Sequence, residues 1–284
     1  MFTILQYINE INCFAGNFFH LSVKWRASLN KQPNYGNWIR KRKIRLFYGI
    51  GIILLLLALI PIHLLIRVIL SASAVIFLGL AIYLSYITFQ FSTAGGNYQA
   101  KLWKTVLDHL HWDGKGSALD IGTGNGPLAI LLAGEYPQAH VIGIDYWGQD
   151  WEYSRKTCEE NAAIEQVADR TEFKQASASN LPFSDGQFDA VVSHFVFHEV
   201  ADEPDKREVI KEALRVLKKG GAYSFQDLFL DETLYGKTDD LISAIRDWGI
   251  QEVHFVDTHD ILSIPAQLNT SRVLGYCSLL YGRK

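Results

Sequence analysis

The sequence predicts an α/β domain with a mostly parallel sheet, preceded by two long apolar helices. Two observations lead to this fold class. From residue 98 onward, short apolar runs alternate with segments of helical period, which is the pattern of successive βαβ units. Between Leu46 and Gln90, by contrast, 45 residues contain no acid and one base, Arg67. The length of 284 residues suits one such domain and an appendage.

Residues 1–45 are predicted to be a basic segment beside a membrane, because they contain eight Lys or Arg and a single acid, Glu10. The start lacks the features of a signal peptide, since Asn9, Glu10 and Asn12 interrupt its apolar run. The aromatic and apolar residues between Phe14 and Trp25 are compatible with a helix on the membrane surface or with an ordinary packed helix.

The apolar stretch is too long for one membrane-spanning helix. Its 45 residues would extend about 68 Å as a single helix, against a hydrocarbon core of roughly 30 Å. We therefore predict two spans near 46–62 and 68–89, with the reversal at Pro61, His63 and Arg67. The alternative is a helical hairpin buried in a soluble protein.

The distribution of charge predicts the orientation of these spans. Residues 40–45 carry five bases and adjoin the first span, and such basic flanks stay cytoplasmic. Because two spans return the chain to the same side, residues 91–284 should form a cytoplasmic domain. The chain outside residues 1–90 carries 18 bases and 29 acids, a balance that disfavours nucleic acid as a partner.

The cysteines and histidines give no sign of a metal or a disulfide framework. Cys13, Cys158 and Cys277 are scattered, fit a reducing compartment, and are most simply buried apolar side chains. No two histidines have metal-ligand spacing with a carboxylate, so we expect no metal.

The domain alternates helices and strands, with the last strand inserted antiparallel. The predicted helices are 98–111, one beginning at Pro127, 153–163, 206–217 and 239–248. The predicted strands are 118–121, 141–145, 171–174, 188–195, 222–226, 252–256 and 274–281.

The first strand leads into a loop suited to a nucleotide-type ligand. Asp120 lies near the strand end, and Gly122, Gly124 and Gly126 then alternate with other residues up to Pro127. Glycines permit positive φ and close approach of a ligand, and N–H groups at a helix start favour an anionic group. The spacing G-x-G-x-G disfavours an NAD-dependent dehydrogenase, which needs G-x-G-x-x-G. A glycine-rich turn of some other α/β protein is the remaining alternative.

A second acid, Asp145, ends the next strand, 19 residues beyond Gly126. The glycine loop, with Asp120 ahead of it, resembles the first motif of class I S-adenosylmethionine (SAM)-dependent methyltransferases. Residues 181–189 and 214–221 are similar to the subgroup that contains ubiquinone/menaquinone and small-molecule methyltransferases. The resemblance covers residues from about 98 to 284. It implies SAM as the cofactor and a Rossmann-like seven-stranded sheet of order 3-2-1-4-5-7-6.

The resemblance also implies which residues hold the cofactor. They are Asp120, Gly122, Thr123, Gly124, Asn125 and Gly126 for the methionine half and Asp145 for the ribose. Tyr146 and Trp147 directly follow Asp145 and are placed to flank adenine, and the further candidates for the cofactor pocket are Ser177, Ala178 and His194. The subgroup has an acid where this chain has Ser177, four residues before Leu181, so we expect weaker cofactor binding.

Candidate catalytic residues follow the strand at 188–195. Because ligands of open α/β sheets bind beyond the carboxyl ends of the strands, His194, His198 and Glu199 should lie at the pocket mouth. We expect His198 to be the general base if the acceptor must lose a proton, with Glu199 holding its tautomer. The alternative is that both are helix-capping or polar core residues. Gln226 and Asp227 are weaker candidates on the acceptor side.

These features predict a membrane-anchored methyltransferase that faces the cytoplasm, where SAM is made, and acts on a small or lipophilic acceptor. A lipid-like acceptor is favoured, because holding the domain at a bilayer raises the effective concentration of molecules dissolved there. The alternative is a non-catalytic SAM-binding regulatory membrane module, which Ser177 favours and the intact glycine loop disfavours. The sequence does not predict the oligomeric state.

Overall fold

The computed structural model of the protein describes residues 31–148, 152–271 and 273–284. The predictions for residues 1–30, including the surface helix between Phe14 and Trp25, lie outside the described residues. Within the described residues, an apolar helical hairpin precedes a seven-stranded α/β domain.

The hairpin consists of α1 (Lys41–Ala58) and α2 (Leu64–Phe91). The chain reverses at residues 59–63, next to Pro61, which cannot continue a helix. Arg67 lies in the first turn of α2 rather than in the reversal itself, and its Nε donates a hydrogen bond to the carbonyl oxygen of Ala58 over 3.0 Å. This bond ties the end of α1 to the start of α2.

Small residues form the contact between the two helices. A side chain at Gly51 would come within 2.7 Å of Leu78, and Ala74 and Ala81 are fully buried. Small residues at such a contact let helix backbones approach closely, as in helix pairs within membranes. Most of the large apolar side chains point outward instead, with Leu59 69% and Leu64 71% exposed. The hairpin is therefore not buried in the core of this chain.

Only one of the described helices, α2, combines the length and the apolar composition needed to cross a membrane. The first residues of α1 are basic, so its apolar part begins at Leu46. At 1.5 Å per residue, α2 extends about 42 Å, whereas residues 46–58 extend about 20 Å. The prediction of two spans is therefore not confirmed.

The end of α2 is docked onto the α/β domain. Ile87 and Phe91 pack in one apolar cluster with Tyr98 and with residues of the loop 262–277. The Tyr83 hydroxyl donates to the carbonyl oxygen of Gln267 over 2.9 Å, and the Tyr98 hydroxyl donates to that of Ser263 over 3.0 Å. These contacts fix the base of the hairpin against the domain.

The domain has seven strands in the order 3-2-1-4-5-7-6, with β7 antiparallel to both neighbours, which confirms the predicted order. The strands are β1 (Gly116–Ile121), β2 (Ala139–Asp145), β3 (Thr171–Gln175), β4 (Phe188–His194), β5 (Leu217–Asp227), β6 (Glu252–Asp257) and β7 (Ser278–Arg283). The helices are α3 (Tyr98–Asp108), α4 (Pro127–Glu135), α5 (Arg155–Ile164), α6 (Lys206–Arg215), α7 (Glu232–Tyr235), α8 (Thr238–Asp247) and α9 (Thr258–Ile261).

The largest differences from the predicted bounds concern β5 and β7. β5 begins at Leu217 rather than at 222, because Leu217 already pairs with Phe188 of β4. β7 begins at Ser278 rather than at 274, because residues before it close turns such as the hydrogen bond from Gly275 N–H to the carbonyl oxygen of Thr270 over 2.8 Å.

Alternating side chains of the central strands fill an apolar core on each face of the sheet. In β1, Leu119 and Ile121 pack on one face and Ala118 on the other. Because β1, β2, β4 and β5 are parallel, their carboxyl ends meet at one edge of the sheet. The residues that follow these four strands form the candidate site.

Candidate cofactor and acceptor site

The glycine loop after β1 requires its glycines. Gly122, Gly124 and Gly126 have φ of 72°, 60° and 84°, in the left-handed region that disfavours other residues. A side chain at Gly122 would overlap that of Val196. At Gly124, the nearest atoms to an added side chain are 3.7 Å away, in the Tyr153 ring. The Tyr153 ring therefore lies at ordinary van der Waals distance from the position that a side chain at Gly124 would occupy.

Asp120 lies beneath this loop and holds its shape. Its Oδ2 accepts hydrogen bonds from the Thr123 hydroxyl over 2.6 Å and from Ala129 N–H over 3.0 Å. The side chain is buried, and burial raises its pKa to about 7. The structure thus gives Asp120 contacts with the loop and with the start of α4, both predicted to face the methionine half of SAM.

Asp145 at the end of β2 is bonded to the same loop. Its Oδ2 accepts from Gly124 N–H and its Oδ1 from Trp147 N–H, each over 2.8 Å. A carboxylate oxygen can accept a second hydrogen bond, so both oxygens retain capacity for ribose hydroxyls. Burial is the main influence on the pKa of Asp145 and raises it.

The two aromatic residues after Asp145 have different positions. Trp147 turns back onto the loop, where its Nε1 donates to the carbonyl oxygen of Gly124 over 2.8 Å. Tyr146 is 68% exposed, and its carbonyl oxygen accepts from Gln175 Nε2 over 2.8 Å. Of the pair predicted to flank adenine, Trp147 contacts the glycine loop and Tyr146 faces solvent.

A segment before α1, residues 34–36, lies against the glycine loop, a contact that no sequence pattern predicted. The Asn125 amide donates from Nδ2 to the carbonyl oxygen of Asn34 over 3.2 Å, and Asn161 donates to the same oxygen over 3.1 Å. Asn34 N–H donates in turn to Asn161 Oδ1 over 2.8 Å. Asn125, predicted to bind cofactor, therefore also holds the chain that leads to the hairpin.

The sequence motif has Ser177 where the related subgroup has an acid, but the folded chain places another carboxylate beside Ser177. Asp202, from the loop after β4, accepts hydrogen bonds from Ser177 Oγ over 3.0 Å and from Ser179 Oγ over 2.6 Å. These bonds, that from Ser179 foremost, lower the pKa of Asp202. Ala178, the next predicted residue, lies in the apolar core. The sequence pattern could not reveal Asp202, which is 25 residues from Ser177.

His198 is paired with Asp227, which corrects the prediction that Glu199 holds its tautomer. His198 Nδ1 lies 2.6 Å from Asp227 Oδ1, whereas Nε2 lies 3.6 Å from Glu199 Oε1. The Asp227 side chain is 1% exposed and that of Glu199 is 53% exposed. The reason is geometric. His198 lies in the short 3₁₀ turn Phe197–Glu199, and this turn directs the imidazole ring of His198 toward the end of β5.

Asp227 is held in place by the backbone around it. Its Oδ2 accepts from Val196 N–H over 3.0 Å and from Phe197 N–H over 2.8 Å. Burial opposes both charges of the pair, but their attraction outweighs it, so the pKa of His198 is raised and that of Asp227 is lowered. His198 is therefore a base of increased strength with Nε2 as its outer nitrogen.

His194 belongs to a separate buried polar row. Its Nδ1 lies 3.0 Å from Gln226 Oε1, and Gln226 Nε2 lies 3.4 Å from Thr258 Oγ1. Burial lowers the pKa of His194 to about 4, so the ring is neutral at pH 7. The next residue, Phe195, has φ of 55°, a strained value for an aromatic residue at the edge of the site.

Comparison with known proteins shows a similarity to methyltransferases. Residues 118–221 match the family model described as a methyltransferase domain. The ubiquinone/menaquinone biosynthesis C-methyltransferase of Desulfotalea psychrophila is 35% identical over 108 residues, which cover 38% of this chain and 39% of that protein. The demethylmenaquinone methyltransferase of Lactiplantibacillus plantarum is 32% identical over 118 residues, covering 41% and 47%. The chain thus spans less than half the length of these curated relatives.

A solved structure shares the fold. The geranyl diphosphate C-methyltransferase of Streptomyces coelicolor, crystallised with S-adenosyl-L-homocysteine, has a TM-score of 0.50 and 14% identity. The match covers 65% of this chain and 79% of that chain. The match to the methyltransferase domain model, the strand order and the glycine loop agree with one another, and the α/β domain of this chain is similar to methyltransferase domains.

Proposed function

We propose that this chain transfers a methyl group from SAM to a small lipophilic acceptor at a membrane. One observation carries the proposal: the glycine loop, Asp145 and the His198–Asp227 pair follow neighbouring strands and meet at one edge of the sheet. The curated relatives are named as ubiquinone and menaquinone methyltransferases, which favours a lipophilic acceptor.

The residues of the glycine loop fit SAM. The glycines leave the loop backbone without side chains at positive φ, Asp145 retains acceptor capacity for ribose hydroxyls, and Asp202 offers a carboxylate near Ser177 for the adenine amino group. When bound, SAM supplies a methyl group attached to a sulfonium, which is an electrophile. The domain has to align donor and acceptor and to keep water away.

His198 supplies the base if the acceptor is a hydroxyl or an acidic C–H group. Asp227 Oδ1 accepts a hydrogen bond from Nδ1–H, so Nε2 holds the lone pair and faces away from Asp227. His198 Nε2 takes the proton that the acceptor loses, and the attraction of Asp227 stabilises the resulting imidazolium. The acceptor would then carry the electron pair that forms the new bond to the methyl carbon, and the electron pair of the broken carbon–sulfur bond would remain on sulfur.

The membrane attachment is part of the proposal. We assign residues 1–45 to a basic juxtamembrane segment, 46–90 to two membrane-spanning helices and 91–284 to a cytoplasmic methyltransferase domain. The outward apolar side chains of α1 and α2 support insertion, and the bases at residues 40–45 support the cytoplasmic side. The shorter apolar part of α1 would be accommodated by local thinning of the bilayer or by extension of its basic side chains.

The test uses the full chain in lipid nanodiscs. Calorimetric titration should show binding of SAM and of S-adenosylhomocysteine, and methyl-labelled SAM should transfer label to a component of a membrane extract. Absence of SAM binding would refute the proposal, and binding without transfer to any fraction would favour the regulatory module. For the attachment, alkaline carbonate should leave the chain in the membrane pellet, and its release would contradict insertion.

A further inference from the structure

A groove of about 560 Å³ lies where the base of the hairpin meets the domain. It is lined by three parts of the chain that are distant in sequence. The residues before and within the first turns of α1 contribute Trp38, Ile39, Arg40, Arg42, Lys43 and Leu46, α2 contributes Leu84, and the loop after β4 contributes Glu199. The groove therefore joins the hairpin to the residue next to His198.

One part of this groove is cationic. Arg42 and Lys43 are exposed, and neither forms an ion pair within the part of the chain that the structure describes. Glu199 is the acidic residue of the lining, and it lies 3.6 Å from Nε2 of His198, at the end of the groove nearest the candidate base. The two bases are thus available to an acidic group from outside the chain.

Another part of the groove is apolar and continues onto the hairpin. Leu46 is 56% exposed at the start of the apolar part of α1, and Leu84 lies opposite on α2. Tyr48 and Ser85, which are two residues from Leu46 and one residue from Leu84 along the chain, share a hydrogen bond of 3.3 Å, so the two helices stay in contact at this level. A chain lying along Leu46 and Leu84 would extend from the groove toward the outward apolar surface of the hairpin.

We propose that this groove holds the methyl acceptor, and that the acceptor is a membrane amphiphile with an acidic headgroup and an apolar tail. The inference rests on the proposed function and narrows its acceptor class. Arg42 and Lys43 bind the headgroup, Leu46 and Leu84 contact the tail, and the group to be methylated lies toward Glu199 and His198. A cationic patch at the base of an apolar hairpin matches such a molecule in charge and in polarity.

Binding is tested without activity, by quenching of Trp38 fluorescence in the full chain. Vesicles of phosphatidylcholine contain about 5 mol% of either doxyl-labelled phosphatidic acid or doxyl-labelled phosphatidylcholine, and the Trp38→Phe variant supplies the background. We expect the acidic probe to quench Trp38 with about thirtyfold higher apparent affinity, the size of effect that two bases produce at a membrane surface. Equal quenching by both probes would overturn the proposal.

A matched pair of variants separates the groove from general attraction to the membrane. Arg42→Gln with Lys43→Gln should abolish the preference, whereas Lys41→Gln with Arg45→Gln, which removes the same charge outside the groove lining, should retain it. Equal loss in both double variants would overturn the assignment to the groove.

Two further measurements on the same preparation link the groove to methyl transfer. Label from methyl-labelled SAM should appear in the acidic lipid fraction of a membrane extract after anion exchange, and its appearance in the neutral fraction would overturn the acceptor class. SAM affinity, measured separately, should be equal in all variants. If the natural chain does not bind SAM, the proposed function is refuted. The quenching result would then still show whether the groove binds an acidic amphiphile.

Discussion

Replacement of Asp227 by asparagine tests the assignment of the base. The carboxylate accepts from Val196 and Phe197 N–H through Oδ2, and from Leu228 N–H and His198 Nδ1 through Oδ1. In the Asp227→Asn variant, the amide oxygen can retain the two hydrogen bonds that Oδ2 accepts. The amide NH₂ group then faces His198, so Nδ1 of His198 must accept a hydrogen bond and Nε2 must carry the proton. In that tautomer His198 cannot take a proton from the acceptor.

The expected loss follows from the contribution of a general base. Such a base accelerates a reaction by about 10²–10⁴, and inversion of a catalytic histidine tautomer costs about 10⁴ in serine proteases. We expect kcat of Asp227→Asn to fall about 10²- to 10³-fold, with little change in SAM affinity. Leu228 N–H loses its acceptor, so stability should also fall by about 1–3 kcal/mol.

The assay measures label transfer from methyl-labelled SAM to membrane extract between pH 5.5 and 9. Because the pKa of His198 is raised, kcat of the natural chain should increase with pH and level off above an apparent pKa higher than 6.5. Asp227→Asn should lose this rise. Glu252→Gln is the matched control, since Glu252 lies 3.0 Å from His254 on an exposed part of β6, far along the chain from the site.

The reasoning is refuted if Asp227→Asn retains kcat within about threefold of the natural chain, the range of a residue without a role in proton transfer. A larger loss in Glu199→Gln than in Asp227→Asn would show instead that Glu199 positions the ring.

Three further predictions concern the cofactor loop and its surroundings. Gly122→Ala should lower SAM affinity more than tenfold and reduce Tm, because the added methyl group overlaps Val196 and the backbone has a φ of 72°. The control is Gly134→Ala, where α4 has open space for a side chain. It should raise Tm slightly, because alanine is favoured over glycine in a helix by roughly 1 kcal/mol. Asp120→Asn should raise Tm more at pH 8 than at pH 5. The pKa of Asp120 is about 7 in the folded chain, against an ordinary value of 3.8. Ionisation of Asp120 therefore destabilises the folded chain increasingly between pH 3.8 and 7, by about 4 kcal/mol above pH 7. An equal change in Tm at pH 5 and pH 8 would contradict this. Asp202→Asn should weaken SAM binding about tenfold, as for loss of a charged hydrogen bond, and Ser177→Asp in that variant should restore it; unchanged calorimetric affinity in Asp202→Asn would place adenine elsewhere.

The arrangement of strands could be predicted because it depends on local signals. Short apolar runs mark β1, β2 and β4, and the alternate glycines after Ile121 mark the cofactor loop. The last strand was predicted to be inserted antiparallel, and the structure confirms this for β7.

The pairing of His198 could not be predicted in the same way. Glu199 is its neighbour in sequence, but Asp227 is its partner in space, 29 residues further along the chain. Asp227 was a candidate because it lies at the end of a predicted strand. Its hydrogen bond to His198 could not be predicted, because it depends on how the turn after β4 packs against β5. Asp202 was missed for a similar reason, because a loop rather than a strand end brings it to Ser177.

The contact between residues 34–36 and Asn125 has a consequence for regulation by the lipid environment. Only residues 37–40 separate this segment from the start of α1, so a change in the tilt of α1 pulls directly on the loop that binds the cofactor. Helices tilt to match the thickness of the surrounding bilayer. If the hairpin spans a bilayer as proposed, cofactor occupancy would depend on the length of the lipid acyl chains, and methyl transfer would respond to the thickness of the membrane.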